Sequence, residues 1–215
     1  MIETVENAVQ LAVVSLCCGI SAIRVIRRRS RLWVLMTLFY GTFLLGLLYW
    51  LLYLLFYGDT PQFRYISELN WYTAYLFLFL ILQNLSVPAE RAVRARSLLF
   101  SPVFAFGMAV LYMQYSSVLS SICSAAIMSL LIYHSVRGLI YHRKKPQHGT
   151  WCVFYRLTLL FCTAEYCMWT ITCFYWSDTL GNPYFWFDML QTVCFLLFIR
   201  AADLMERPAK AVKPA

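Results

Sequence analysis

Three acidic residues stand where an apolar chain can least absorb them. Glu165 lies in the middle of LTLLFCTAEYCMWTITCF, Asp188 follows the aromatic cluster PYFWF, and Glu68 lies near the start of SELNWYTAYLF. An ionised side chain at the centre of a bilayer costs about 2.5 to 3.5 kcal/mol on insertion scales, so each needs a compensating partner or a task. No Lys or Arg occurs at the depth of Glu165 in any other apolar run. Burial without a cation favours the neutral carboxyl. Glu165 would then donate a hydrogen bond to a neighbour such as Thr42, Thr163 or a tyrosine, or serve as a proton or cation site.

Asp188 is set five residues inside its run, too deep to act only as a helix cap, with Phe185, Trp186 and Gln191 on the same helix. Glu68 opens its helix, where the macrodipole and free amides favour a carboxylate, and is followed by Trp71, Tyr72 and Tyr75. If the two runs occupy equivalent places in a bundle, Asp188, Glu68, Trp71, Tyr75, Trp186 and Gln191 converge on one pocket near the outer face. Aromatic walls with a few convergent polar groups suit a small, partly apolar or cationic ligand. For each aromatic taken singly, the competing reading is membership of an interfacial belt.

Other chemistries find less support. His134 is the single histidine inside an apolar run, and His142 and His148 fall in a loop, too few for a zinc hydrolase. No GxSxG, HExxH or paired-glutamate signature occurs, so the chain reads as a non-enzyme with no catalytic residue, no metal and no cofactor. Cys17, Cys18, Cys123, Cys152, Cys162, Cys167, Cys173 and Cys194 lie in or beside apolar runs without a CxxC pair, as small buried side chains do. Gln83, Asn84, His134, Arg137, Arg156 and Arg200 form an inner polar set, its arginines placed to snorkel to headgroups.

The elements that must position these residues are seven long apolar stretches, roughly 5–23, 32–57, 68–85, 98–114, 117–140, 152–175 and 183–204. Each is long enough to cross ~30 Å of hydrocarbon as a helix at about 1.5 Å per residue. The chain is 61% hydrophobic and 13% charged, which leaves no room for a water-soluble domain. Its basic residues alternate by loop. Arg24, Arg27, Arg28, Arg29 and Arg31 fill the first, Arg91, Arg94 and Arg96 the third, Arg143, Lys144 and Lys145 the fifth, and Arg207, Lys210 and Lys213 the tail. Of 18 Lys and Arg, only Arg64 falls on the other side, so the positive-inside rule puts the N-terminus outside and the C-terminus inside. The net charge of +8 then meets anionic lipid headgroups on the cytoplasmic side rather than nucleic acid. Acidic residues before the first run and basic ones after it mark a retained anchor, not a signal peptide.

The expectation is an all-α, polytopic membrane protein with one seven-helix domain over residues 1–204 and a short cytoplasmic tail over 205–215, in a bacterial inner membrane. Shifting the chain by 119 residues lays Trp50 on Trp169, Asp59-Thr60 on Asp178-Thr179 and Arg24 on Arg143, and one more residue lays Glu68 on Asp188. A 3+1+3 plan follows: parallel three-helix units about 5–85 and 117–204, joined by a linker helix over 98–114. Ser117, Ser121, Ala125 and Ser129 put small side chains on one face of the fifth run, for close packing against the fourth or for a homodimer seam.

Several families share this plan. A rhodopsin-like protein needs a lysine within the seventh run, and PYFWFDMLQTVCFLLFIRAAD has none. Pro61-Gln62 and Pro146-Gln147 fall in loops on opposite sides at non-equivalent repeat positions, unlike those of PQ-loop transporters. Helix number, orientation, length and acidic-aromatic helix starts resemble the seven-helix N-terminal sensing regions of bacterial histidine kinases and diguanylate cyclases. That resemblance implies a receptor-like module with its ligand entrance outside. Only LMERPAKAVKPA follows Asp203, so the module would stand alone or signal through a cytoplasmic partner. The alternative is a small transporter for a solute or cation, although Gly41, Gly46 and Pro102 have no counterparts in the equivalent runs. A scaffold subunit without a ligand is the third class.

Overall fold

A computed structural model describes residues 2–61, 65–143 and 149–206. Gln62, Arg64, Lys144, Lys145, Pro146, Gln147, His148 and the tail from 207 onward, which carry part of the charge and dipeptide readings, lie outside the described residues. Among the described residues the chain is helical, with no strand: α1 Ile2–Arg28, α2 Arg31–Tyr57, α3 Tyr65–Leu85, a single turn α4 Pro88–Arg91, a 3-10 turn Arg96–Leu99 running into α5 Phe100–Tyr112, α6 Val118–His142, α7 Gly149–Phe174 and α8 Pro183–Glu206. Six of these, α1, α2, α3, α6, α7 and α8, are long and apolar enough to cross a membrane. The protein is a helical integral membrane protein.

Two features differ from the sequence expectation. The fourth apolar run forms a shorter apolar helix, Arg96–Tyr112, whose first turn is 3-10. At 1.5 Å per residue its length is about 25 Å, short of the hydrocarbon thickness. The third loop also contains α4, begun by Pro88 at its first position, where the missing N–H costs nothing. Elsewhere the helices extend past their apolar runs, because backbone hydrogen bonding continues into the headgroup level while hydropathy does not.

Helix ends follow local chemistry. Gly58, at φ 69°, closes α2 by donating its N–H to the Leu54 carbonyl. Ser117 caps α6 by accepting from the Ser120 amide at 3.1 Å, and Asn182 accepts from the Tyr184 amide at the start of α8.

Each long helix packs on the next in chain order, α3 passes to α6, and α8 returns to α1, so six helices close a ring with α5 against α6. Tyr72 meets Ser120 and Gln83 meets His134, which makes α3 and α6 parallel. Gln10 meets Asp188 at one end and Arg24 meets Asp203 at the other, which makes α1 and α8 parallel. Exchanging α1, α2 and α3 for α6, α7 and α8 therefore maps this ring of neighbours onto itself. The end that gathers Arg24, Arg28, Arg91, Arg137 and Arg143 is called the basic end below.

The inward face of α1 is polar relative to its outer face, the reverse of a helix in a water-soluble bundle. The buried stripe of α1 is Glu6, Asn7, Gln10, Val14, Cys17 and Ser21, whereas Val5, Leu16 and Ile26 are exposed. In lipid no hydrophobic effect drives the helices together, so packing and interhelical hydrogen bonds must. The centre is filled by Phe39, Phe43, Phe161, Phe195 and Phe198, whose rings meet at 4.6–6.4 Å between centroids, and Tyr40 donates to the Phe195 carbonyl at 2.7 Å. The ends are tied by ion pairs from Arg24 to Asp203 at 2.5 Å and from Arg28 to Glu206 at 2.9 Å, and by the Glu3 amide donating to Asp178 at 2.9 Å.

Candidate functional site

Above the phenylalanine layer, at the end opposite the basic one, the ring encloses a cavity of about 280 Å³ that reaches the turn at Tyr115 and Ser116. Every long helix contributes to its wall, including Asn7 and Gln10 of α1, Trp50 of α2, Glu68, Trp71, Tyr72 and Tyr75 of α3, Ser120 of α6, Glu165 and Trp169 of α7, and Tyr184, Asp188 and Gln191 of α8.

Two hydrogen-bonded chains organise this wall. In the first, Tyr75 and Gln191 both donate to Glu165 Oε1, and Gln10 Nε2 lies 3.5 Å from Gln191 Oε1 and donates to Asp188 Oδ1 at 2.5 Å. In the second, the Tyr72 hydroxyl and Ser120 Oγ lie 2.6 Å apart, and Ser120 Oγ donates to Glu68 Oε2 at 2.9 Å. Asp188 and Glu165 are only 5% and 3% exposed. Among the described residues, no partner meets Asp188 Oδ2, Glu165 Oε2 or Glu68 Oε1.

Most donors around the cavity are already committed. Asn7 Nδ2 donates to the Glu3 carbonyl, Trp50 Nε1 to Glu3 Oε1, Tyr112 to the Tyr166 carbonyl, and Ser121 and Ser124 to carbonyls of their own helix. The wall holds three carboxyl groups and no Lys, Arg or His. Acceptors therefore predominate around the carboxyl groups, while the Trp71 indole N–H is a wall donor left buried without a partner among the described residues.

Asp188, Glu68, Trp71, Tyr75 and Gln191, singled out from the sequence, all line this cavity, and Glu165, expected as a separate deep site, lines it too. Trp186 does not. It is 65% exposed and its indole N–H donates to the Leu180 carbonyl at 3.0 Å, because its position on α8 points away from Asp188 toward the outer face. Thr42 and Thr163 do not reach Glu165. Their hydroxyls bond carbonyls four residues back on their own helices, as threonines in apolar helices commonly do. Glu68 lies in the first turn of α3, and its side chain reaches across to Ser120 of α6. Sequence reading missed Gln10 and Asn7, whose signal was present as polar positions spaced three and four apart among Glu6, Asn7 and Gln10 on the first helix.

A second polar cluster lies at the basic end. Glu90 of α4 is fully buried, accepts from the Tyr155 hydroxyl at 3.0 Å, and faces His142 at 3.4 Å and Arg137 at 4.0 Å. Arg137 also lies 2.7 Å from His134 Nδ1, and His134 Nε2 meets Gln83 at 3.1 Å. Arg137 thus does not snorkel. It is 7% exposed because Glu90 supplies a counter-charge inside the bundle. Arg156 and Arg200 are exposed. Gly138 makes room for the cluster, since a methyl group there would run into the Tyr155 ring. Burial raises the Glu90 carboxyl above its ordinary value, opposed by the Tyr155 hydrogen bond and by Arg137.

Among the described residues, no three His, Cys, Asp or Glu side chains are grouped to hold a metal ion. Comparison with known proteins finds no matching family model, no similar curated protein and no similar solved structure.

Proposed function

We propose that this chain is a receptor-like membrane module that takes a small, partly apolar or cationic ligand from the outer side and acts through a cytoplasmic partner. The observation that carries this reading is the polar cavity of about 280 Å³, near the lower size of small-molecule sites, at the end opposite the basic loops. Loop charges orient that end outward, in a bacterial inner membrane. Parallel packing of α1 with α8 and of α3 with α6 requires the chain to return through Arg96–Tyr112, which supports seven crossings. The interchangeable neighbours of the two three-helix sets, with Glu68 bonded to α6 and Asp188 to α1, support a 3+1+3 repeat.

A receptor is favoured over a transporter because the cavity has a floor. Phe39, Phe161, Phe195 and Phe198 are each fully buried, and the buried Glu90 lies beyond them, so this layer separates the cavity from the basic end, where the surface depression at residues 93–99 and Tyr133 has no lining residue in common with it. Exposed Arg94, Arg143, Arg156 and Arg200 offer the inner surface to headgroups or an acidic partner.

The test begins with a thermal-shift screen of small amines, amino acids and aromatic compounds on detergent-purified protein. A labelled hit is then followed in sealed vesicles, with orientation read from labelling of a cysteine at Gly181. Saturable binding without time-dependent accumulation is expected. Accumulation that grows with time would replace the receptor reading by transport.

A further inference from the structure

We propose that the ligand is a protonated primary amine carrying an apolar or aromatic body, its ammonium group held between Asp188 Oδ2 and Glu165 Oε2. This inference rests on the small-ligand reading above and names its chemical class.

The first argument is charge. A cavity wall with three carboxyl groups and no basic side chain lacks a counter-charge, so a carboxyl group buried there is held toward its neutral form and a cation that entered would let it ionise against it. At the basic end a buried carboxyl group has basic residues of the chain beside it: Arg137 at 4.0 Å and His142 at 3.4 Å from Glu90. At the cavity no such residue exists among those described, so the missing cation would come from a ligand.

The second argument is the direction of the hydrogen bonds. Gln10, Gln191 and Tyr75 spend their donors on one oxygen of Asp188 and one of Glu165, which orients each carboxyl group and leaves its other oxygen without a protein partner. Both side chains are more than nine-tenths buried and line the cavity. An ammonium group with several N–H donors complements two such acceptors; an anion would meet oxygen lone pairs, and an ether or ketone could take the unpartnered Trp71 indole N–H but would leave both carboxyl oxygens unbonded.

The third argument is the remainder of the wall. Trp50, Trp71, Tyr72 and Trp169 line the cavity, and aromatic rings can attract a cation and pack against an apolar body. A quaternary ammonium would gain from the rings but would leave both carboxyl oxygens unbonded, so the primary amine is the better match.

The experiment compares 2-phenylethylamine, 2-phenylethanol and phenylacetate, which share a ring and differ in charge, by calorimetry and tryptophan fluorescence on the full chain in lipid nanodiscs at pH 7. Saturable binding of the amine is expected, with the alcohol weaker by about tenfold or more and no binding of the anion. Asp188→Asn should weaken the amine by about tenfold while leaving the alcohol within about twofold. Equal binding of amine and alcohol, or tighter binding of phenylacetate, would overturn the amine assignment while sparing the small-ligand cavity. That comparison uses the unaltered chain, so it stands even if Asp188→Asn fails to fold. If none of the three binds, the amine assignment falls and the small-ligand reading is decided by the wider screen.

Discussion

The two polar regions of this bundle use similar residues and reach opposite outcomes. At the basic end a buried carboxylate, Glu90, meets an arginine, a histidine and a tyrosine hydroxyl, and the side chains fill the space between α4, α6 and α7. At the other end three carboxyl groups line a cavity of about 280 Å³ and meet only amides and hydroxyls. One region sets basic side chains of its own beside its carboxyl group; the other turns its acceptors toward a cavity with no basic residue on its wall. A bundle can afford such a void where its function lies, because polar groups there are held by neutral hydrogen bonds that fix their geometry without cancelling their charge.

This contrast makes the basic end the more fragile of the two. Arg137→Leu should cost roughly 3 kcal/mol at pH 7, since it strips a buried carboxylate of its cation. The loss should be smaller at pH 5, where Glu90 takes up a proton more readily. Asp188→Asn should cost less than about 1 kcal/mol, because the amide keeps a carbonyl oxygen for Gln10 and the cavity tolerates rearrangement. Thermal unfolding in one detergent measures both. Equal losses would mean that the two regions are built alike.

A smaller effect separates two glycines. A methyl group at Gly138 meets the Tyr155 ring, which is fully buried and bonded to Glu90, so Gly138→Ala should cost about 2 kcal/mol. At Gly46 the same methyl would approach Trp71 Nε1 to 2.6 Å, but that indole borders the void and can move into it. Gly46→Ala should therefore cost less than about 1 kcal/mol and weaken binding of 2-phenylethylamine instead. A Gly46→Ala protein as unstable as Gly138→Ala, with binding intact, would remove Trp71 from the mobile part of the wall.

The smallest effect is a slope. Burial raises the Glu90 carboxyl above its ordinary value of 4.5, so folding favours its neutral form. Its contribution to stability is then complete below about pH 4.5 and is lost as pH rises through the folded-state value. Glu90→Gln, neutral at every pH, should abolish that part of the decline above about pH 4.5. An unchanged slope in melting temperature would assign the pH dependence to another group.

Much of this architecture was legible as periodicity and charge. The long helices follow from apolar runs, and the choice of Glu68, Glu165 and Asp188 follows from the cost of carboxyl groups in hydrocarbon. Tyr75 and Gln191 were found because they sit beside those residues at helical spacing. Trp186 was misplaced for the same reason: closeness in sequence to Asp188 says little about which side of a helix a residue takes, since adjacent positions turn by about 100°. Glu90 was overlooked because it lies in a charged loop with Arg91 and Arg94, where a carboxylate reads as solvated.

By itself, the sequence determined the class of solvent, the helical segments and the residues whose burial would need compensation, because these depend on composition and on repeats within one helix. Only the tertiary structure decided that Gln10 bonds Asp188 across 178 residues, that Glu165 and Asp188 share one cavity, and that α4 turns inward to seat Glu90 beside Arg137. Those pairings depend on which helix faces which, and helix rotation in a bilayer is set by close packing and interhelical hydrogen bonds that no single segment encodes.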